Sequence, residues 1–467
     1  MSRSTAIRRL VLGAAGWCLL LTAGCVSPNK PRVVRQFPPA PVYPADHEYA
    51  LDELIELSIY HNASLDVARH TAQATEGLID QVKSLWLPVV RYDFIAAAYD
   101  NDLNFRLRAL GLATINVPLT GAYNINNSAT LAQIVATFGK RTSALRQAKN
   151  LAAIQRLEIL TIQDCVAFQV ANFYFLVCLT NDVDAVLEDT LRRARVFAQV
   201  AQGLNQRGSL RATDLDTLQA QLLITQIEQL RILTQTSRQQ AYEALRTFVG
   251  VPHDRVLSLR SASLPPLLST TDVLGKAATM ARAFWRRPEL RQLDLVVEIF
   301  REQVNFTKAA WANIAFVGSA TYTTGNQNAV LNAVQSLIGT LVLDWPIYEP
   351  ARGGQLRAAL ALEQASEALQ RQVEQLIALE TETTRLDAQK SLAIALRAAE
   401  AVRTAGRHEQ AARQASTREL VPASQVVLAI ALNMAARIEH LTTVYGYHCS
   451  RARLKRVMAD RDIKYGF

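Results

Sequence analysis

Few side chains in this 467-residue chain are spaced for catalysis or metal binding. The sequence has no Gly-Xaa-Ser-Xaa-Gly elbow, no glycine-rich phosphate loop, no His-Glu-Xaa-Xaa-His and no Cys-Xaa-Xaa-Cys. The seven histidines are scattered, and His440 and His448 lie about two helical turns apart, which is too far for one metal ion. We expect the histidines to be solvated surface groups. The sequence therefore predicts neither an enzyme nor a metal or cofactor site.

Cys25 is the one side chain with a predicted modification. Three arginines within residues 1–9 precede an uncharged apolar run over residues 10–24, which stops at Ala-Gly-Cys25. The run is short for an uncleaved membrane anchor, the alternative, because a spanning helix needs about 20 residues. The segment resembles the lipobox of bacterial lipoproteins and predicts a cleaved signal, residues 1–24, with covalent lipid on Cys25. In such lipoproteins an Asp directly after the cysteine signals retention in the inner membrane. This chain has Val26 there, so the resemblance implies sorting to the outer membrane.

Composition excludes other classes of partner. The net charge is +9, but the basic residues are interspersed with acidic ones and form no basic arm, so we expect a solvated surface and no nucleic acid partner. Cys165, Cys178 and Cys449 are predicted to be buried small hydrophobic residues. Six prolines within residues 25–50 predict an extended tether behind the lipid.

The body of the chain contains a duplication. Trp86 and Trp311 lie 225 positions apart in similar surroundings, and the segment from Arg207 matches the segment from Arg418 at a shift of 211. The sequence therefore predicts two structural repeats, over residues 51–265 and 266–467. Each has the order helix, two strands and a pair of long helices. The first helix is predicted over residues 51–86, ahead of Pro88.

Four segments alternate between apolar and polar residues. They cover residues 90–98, 111–123, 314–322 and 334–345, and their lengths match tilted transmembrane strands. Strands of a soluble sheet are the alternative. The alternation over 314–322 is one residue out of step with that over 90–98, so either a bulge intervenes or the repeats align differently there.

Two very long helices follow the strand pairs. Residues 128–203 and 355–419 contain almost no helix breakers, and residues 213–249 and 424–458 are predicted to return antiparallel to them. Apolar residues recur at spacings of three and four, as at Leu362, Ala365, Leu369, Val373 and Leu376, which is typical of coiled-coil packing. The predicted fold class is mainly α with transmembrane β strands. Four strands cannot close a barrel in lipid, so several chains must share one.

The duplicated order resembles the TolC family of outer membrane efflux and secretion channels, especially its lipid-anchored members. The motifs that carry the resemblance are Arg287-Pro-Glu-Leu290, Phe138-Gly-Lys-Arg141 and the turn from Gly208 to Ala220. The resemblance implies a homotrimer with a twelve-stranded barrel in the outer membrane and a twelve-helix tunnel in the periplasm. It also implies a periplasmic adaptor and an inner membrane transporter as partners, in a tripartite efflux pump or a type I secretion system, and no catalytic residues.

The turns at the far end of the helices are the candidate site for adaptor contacts. The residues assigned to them are Arg207, Gly208, Arg211, Asp214, Arg418, Glu419 and Gln425. Many family members have acidic residues in the second turn, where this chain has Gln425 and Leu428, so an acidic aperture is not expected. Asp214 or Thr213 as a simple helix cap is the alternative. A lipid-anchored periplasmic scaffold without a pore is the second hypothesis for the whole chain, and the exported substrate is not specified by the sequence.

Overall fold

The computed structural model describes residues 47–98, 104–107, 115–118, 123–206, 214–251, 257–261, 263–267, 275–309, 312–325, 334–418 and 420–461. The predicted signal, Cys25 and most of the predicted tether lie outside these residues. The end of the predicted tether contains a two-residue strand, β1 (Glu48–Tyr49), which pairs in parallel with β6 (Ser258–Leu259).

Besides β6, the described residues of the first repeat form two short helices, four strands and two long helices. In chain order they are α1 (Leu51–His61), α2 (Ala63–Ser84), β2 (Val89–Ala98), β3 (Asn104–Leu107), β4 (Ile115–Pro118), β5 (Tyr123–Ala136), α3 (Lys140–Gln206) and α4 (Asp214–Val249). The second repeat contains α5 (Lys276–Arg286), α6 (Pro288–Ala309), β7 (Asn313–Gly325), β8 (Val334–Asp344), α7 (Ala351–Thr417) and α8 (Ala423–Val457).

Asn62 divides the predicted first helix into α1 and α2. Its backbone is extended, and its side-chain oxygen accepts a hydrogen bond from the Ser64 amide at 2.9 Å, which caps α2. Its side-chain nitrogen donates to the Phe248 carbonyl at 2.9 Å and so ties this break to the end of α4. Apolar periodicity continues across the break, which is why the sequence predicted one helix.

The second strand lies later in the chain than predicted. The long strand is β5 rather than residues 111–123, and residues 128–136, which were assigned to the first long helix, belong to it. The prediction relied on the absence of Pro and Gly. Residues 128–131 nevertheless alternate between polar and apolar side chains, a strand pattern that outweighed the lack of breakers. The other long helices and strands lie within a few residues of their predicted positions.

The four longest strands form an antiparallel sheet in the order β2, β5, β7, β8, and β3 pairs separately with β4. Pairing between β2 and β5 and between β7 and β8 is continuous. The register shift in this sheet lies in β5, between Ile134 and Ala136 where it pairs with β7. Opposed residues share a face, and the pairing places Val90 level with Leu131 and Gly318. The apolar faces predicted for residues 90–98 and 314–322 are therefore the same face, and the one-residue offset comes from the alignment of the repeats, since β7 follows α6 more closely than β2 follows α2.

The long helices form the body of the structure. α3 and α7 each contain 67 residues, about 100 Å at 1.5 Å per residue, and they begin and end 211 positions apart. α4 packs antiparallel to α3, α8 packs antiparallel to α7, and α3 also packs on α8. A core cluster toward the ends of the helices joins Leu187 and Leu191 of α3, Ile227 of α4 and Ile430 of α8. The two repeats therefore share one core.

Two helices are long and apolar enough, by length and composition, to cross a membrane. They lie within Lys140–Gly203 and Ala423–Val457. In the structure these helices pack on each other, and Asn172 of α3 accepts hydrogen bonds from the Tyr445 hydroxyl and the Cys449 thiol, both at 3.1 Å. Partly buried polar contacts of this kind fit a packed helical body rather than a lipid-facing span.

His448 contradicts the expectation of solvated histidines. Its side chain is fully buried, stacks on Phe175 and places Nε2 3.0 Å from the Pro265 carbonyl oxygen. Burial lowers the pKa of His448 to about 4, so the imidazole is neutral at physiological pH. The described residues contain no cluster of His, Cys, Asp or Glu that could hold a metal ion. His448 is therefore a packing residue.

The described cysteines are free, as packing residues would be. Cys178 is buried and Cys449 is half-buried, and burial raises the pKa of the first thiol to about 12 and of the second to about 11. Cys165 is also a free, half-buried thiol.

Gly250 allows a sharp end to α4, so we predict that Gly250→Ala destabilises the protein. Its φ is +78°, and a Cβ there would overlap the His61 carbonyl group. We expect a loss of about 2 kcal/mol or more in the free energy of unfolding, measured by denaturant titration. The control is Gly406→Ala in α7, where a Cβ meets nothing within 4 Å. It should leave stability unchanged or raise it by up to about 1 kcal/mol. Equal effects of both substitutions would contradict this account.

Candidate functional site

The four-stranded sheet has one mainly apolar and one mainly polar face. Period-two alternation and the pairing register place these side chains on the apolar face: Val90, Tyr92, Phe94, Ala129, Leu131, Phe316, Ala320, Leu337, Leu341 and Leu343. The opposite face carries Arg91, Asp93, Ser128, Thr130, Ser319, Thr321, Thr340 and Asp344. On the apolar face the Tyr92 hydroxyl donates to Asn127 at 2.8 Å, so these polar groups satisfy each other.

Nothing in the described chain covers the apolar face or the sheet edges. Leu337 and Leu341 are 88 % and 68 % exposed, and Phe94 is 60 % exposed. β2 and β8 are the outer strands, so one side of each has no strand partner among the described residues. An apolar face of this extent requires lipid or another protein, and each open edge requires another strand.

The Phe138-Gly-Lys-Arg141 motif joins the sheet to the first long helix. Phe138 and Gly139 have positive φ values, which turn the chain from β5 into α3. The Arg141 guanidinium donates to the carbonyls of Leu85, Ile134 and Val135 at 2.9–3.1 Å and lies 5.0 Å from the Trp86 ring centroid. One arginine therefore holds the start of α3, the end of β5 and the end of α2 in a fixed geometry.

The Arg287-Pro-Glu-Leu290 motif anchors α6. The buried Arg287 side chain donates to the Val457 carbonyl and to the Glu380 carboxylate, both at 2.6 Å. It therefore links α6 to the end of α8 and to the middle of α7, and Pro288 is the first residue of α6. The motif has a structural role.

The two helix turns predicted as a contact site lie at the same end of the molecule. The buried Asp216 carboxylate of α4 accepts a hydrogen bond from the Ser424 amide in the first turn of α8 at 2.8 Å. This bond joins the first-repeat turn to the second-repeat turn and places a carboxylate at a helix N-terminus, where the helix dipole favours it.

The predicted tip residues can be placed only in part. Arg207, Gly208, Arg211 and Glu419 lie outside the described residues, as does Thr213. Asp214 is the exposed first residue of α4, Arg418 is the exposed residue that ends α7, and Gln425 is exposed in the first turn of α8. Leu428 is 56 % exposed. Leu215 and Leu218 in the first turns of α4 are exposed to a similar extent. The described part of the tip therefore carries exposed leucines beside Asp214, Arg418 and Gln425, and Gln425 and Leu428 supply no carboxylate for an acidic ring.

A buried cluster of charged residues lies about 12 Å from the end of α7, and the sequence analysis missed it. Arg193 of α3 donates to both carboxylate oxygens of Glu409 at 2.8 Å, and Arg413 and Asn433 donate to the same carboxylate. The charged residues were interpreted as a solvated surface, yet the Glu409 side chain is only 5 % exposed. These residues lie on three helices that are far apart in the chain, so no sequence pattern indicates that they are buried together. The cluster joins α3 of the first repeat to α7 and α8 of the second.

Arginines extend this cluster along α3. Arg437 of α8 donates to Asp189 of α3 at 2.9 Å, and Arg193 lies 3.0 Å from the same carboxylate. Burial raises the pKa of Glu409, but hydrogen bonds from Asn433 and Arg193 and the positive charge of Arg193 outweigh it and lower the pKa overall. The Glu409 carboxylate is therefore charged at neutral pH and fully paired.

Comparison with known proteins identifies this arrangement. Residues 54–251 match a family model described as outer membrane efflux protein. The chain is similar to the solved outer-membrane channel OprN, with 16 % identity and a TM-score of 0.73 over 88 % of this chain and 89 % of that one. The chain has the fold of an outer membrane efflux channel. A comparison with curated proteins finds no match.

Two further channel structures support the same fold. The transmembrane channel CusC aligns with a TM-score of 0.71 and 15 % identity, over 91 % of this chain and 98 % of that one. The outer membrane protein VceC of Vibrio cholerae aligns with a TM-score of 0.71 and 16 % identity, over 88 % and 96 % of the two chains. These matches confirm the fold that the sequence resemblance implies, and the model that matches residues 54–251 describes outer membrane efflux proteins.

The Glu409 cluster yields a stability prediction for this channel fold. Glu409→Gln removes the charge that pairs Arg193 and Arg413, and we expect it to cost about 3 kcal/mol in the free energy of unfolding. Because the folded-state pKa is lowered, the stabilisation is present above the ordinary value of 4.5 and is lost as the pH falls below it.

Denaturant titrations at pH 7 and pH 4 measure this effect. The control is Glu400→Gln, which breaks an exposed ion pair with Arg397 on the same helix and should cost less than about 1 kcal/mol. A Glu409→Gln variant as stable as the control at pH 7 would contradict the role given to the cluster.

Proposed function

We propose that this chain is the subunit of an outer membrane channel that conducts substrates from the periplasm to the exterior. The observation that carries the proposal is the sheet with an uncovered apolar face, a polar opposite face and two open edges, mounted on helices about 100 Å long. An apolar outer face suits lipid, and a polar inner face suits a water-filled lumen.

Closure of the sheet requires further copies of the chain. Open edges cannot stay unpaired in lipid, because their backbone amides and carbonyls would find no hydrogen-bond partners. Each chain supplies four strands to the sheet, so three copies give twelve, as the resemblance to the TolC family implies. The polar residues of the inner face, such as Thr130 and Thr340, then line the lumen. The helices continue from this barrel as a periplasmic tunnel.

The channel is passive and needs partners. An inner membrane transporter supplies the energy, and a periplasmic adaptor binds the helix turns at Arg207, Gly208, Arg211, Asp214, Arg418, Glu419 and Gln425. Lipid on Cys25 anchors the N-terminus in the outer membrane. The exposed leucines at the described part of the tip, Leu215, Leu218 and Leu428, offer an apolar surface for such contacts.

A lipid-anchored scaffold without a pore explains the sheet poorly. A scaffold needs no uncovered apolar strand face, and exposed apolar edges of this length would cause aggregation in the periplasm. The channel accounts for both features.

A pair of neighbouring lysine substitutions in β8 tests the channel proposal. Leu341→Lys places a charge on the apolar face, where we expect a cost of about 2–4 kcal/mol in membrane insertion. Thr340→Lys places the same charge on the polar face and should be tolerated. The measurement is the amount of each variant that resists urea extraction from outer membranes. Equal retention of both variants, or loss of the Thr340→Lys variant alone, would contradict the assigned faces.

A further inference from the structure

The repeats superpose element by element along the chain. α1 and α5 begin and end 225 positions apart, and so do α2 and α6. α3 and α7 begin and end 211 positions apart. Each residue of one repeat therefore has a defined equivalent in the other.

One ion pair shows that these equivalences hold in space. Arg156 of α3 pairs with Glu76 of α2, and the equivalent residues of the second repeat are Glu367 of α7 and Arg301 of α6. Those residues also pair, with the charges exchanged between the helices. The short helix of each repeat thus packs on its own long helix in the same register.

The second repeat makes a contact that the described part of the first repeat lacks. α6 packs on α7 and also on α3, where Gln292 donates to Glu158 at 2.9 Å and Arg146 donates to Glu302 at 2.9 Å. α2 packs on α3, but within the described residues it makes no comparable contact with a second long helix. The missing contact is the one between α2 and α7.

Both surfaces that would form this contact are uncovered and apolar. The α7 seam, defined as Leu362, Leu369 and Leu376, follows the heptad spacing predicted from the sequence to pack as a coiled coil. All three leucines are 46–54 % exposed. On α2, Val67 is 67 % exposed and Leu78 is 42 % exposed. A coiled-coil seam without a partner in its own chain requires one from another chain.

We propose that the α7 seam of each subunit packs on α2 of the next copy of this chain, in the register that brings Leu369 against Val67 of the partner subunit. Leu369 is equivalent to Glu158, and Val67 is equivalent to Gln292. A contact between Leu369 and Val67 of the partner subunit would therefore repeat, between subunits, the contact that Glu158 and Gln292 make within the chain. A polar pair within the subunit becomes an apolar pair between subunits. The proposal rests on the ring assembly of the proposed function and assigns its interface.

Other surfaces agree with the same neighbour. α3 packs on α8, and the equivalent face of α7, where Ile394 is 47 % exposed, has no comparable contact with α4 within the described residues. On α4, Ile232 and Leu233 are both 64 % exposed. The open strands β8 and β2 also carry opposite charges, Asp344 and Arg91, on the same sheet face and near the helical end of the sheet.

Cysteine cross-linking of the full-length protein in outer membranes tests the register. The test variant combines Val67→Cys with Leu369→Cys, and the control combines Val67→Cys with Leu362→Cys, one heptad or about 10 Å away on the same seam. Each single variant reports any linkage through the native cysteines. On oxidation we expect dimer and trimer bands to replace most of the monomer in the test variant, and monomer to persist in the control and the single variants.

The mass of the native complex in detergent separates the failure of this register from the failure of the channel proposal. A trimeric complex that links through Leu362→Cys, or through neither pair, would overturn the register and leave the channel proposal standing. A monomeric complex without cross-links would overturn both.

Discussion

Unpaired backbone groups on the sheet edges are the constraint on which the rest of the structure depends. A strand edge in lipid leaves each amide and carbonyl without a hydrogen-bond partner, at a cost of several kcal/mol per group. β2 and β8 are such edges, and their side chains on one face are apolar and exposed. The ring proposed above would close these edges in a membrane, and its polar face would line the lumen.

The duplication produces equivalent contacts between the repeats in the helices as well as in the sheet. One chain makes each contact between neighbouring repeats once, through β5 with β7, α3 with α6 and α3 with α8. Two structural devices keep those contacts in register: Arg141 ties the first long helix to the sheet, and the Glu409 cluster ties α3 to α7 and α8. In the proposed assembly the same contacts, made once more between chains, give a continuous tube. Strand pairing, helix packing and repeat symmetry all agree with the same neighbour.

Much of this architecture could be predicted from the sequence. The 225- and 211-residue offsets, the long helices and three of the four strand positions follow from periodicity alone. The position of β5 could not, because residues 123–136 lack glycine and proline and their alternation competes with an uninterrupted helical context. The break at Asn62 was also missed, because its cap depends on the Ser64 amide and the distant Phe248 carbonyl.

The candidate site was less predictable than the fold. Asp214, Arg418 and Gln425 could be assigned to one end of the molecule because turns between long helices must lie there, and their contacts with an adaptor stay a prediction. The burial of Glu409 and His448 depends on helices hundreds of residues apart, and a single charged or polar residue in a helical pattern indicates solvent more often than a core. Only the packed structure shows that Arg193 and Pro265 provide their partners.

Electron microscopy of the detergent-extracted native complex, averaged with symmetry left free, tests the central claim most directly. The account predicts a threefold ring with a short barrel at one end and a helical tube about 100 Å long. Thin rods without a ring would contradict it and would leave a lipid-anchored scaffold as the function of the chain.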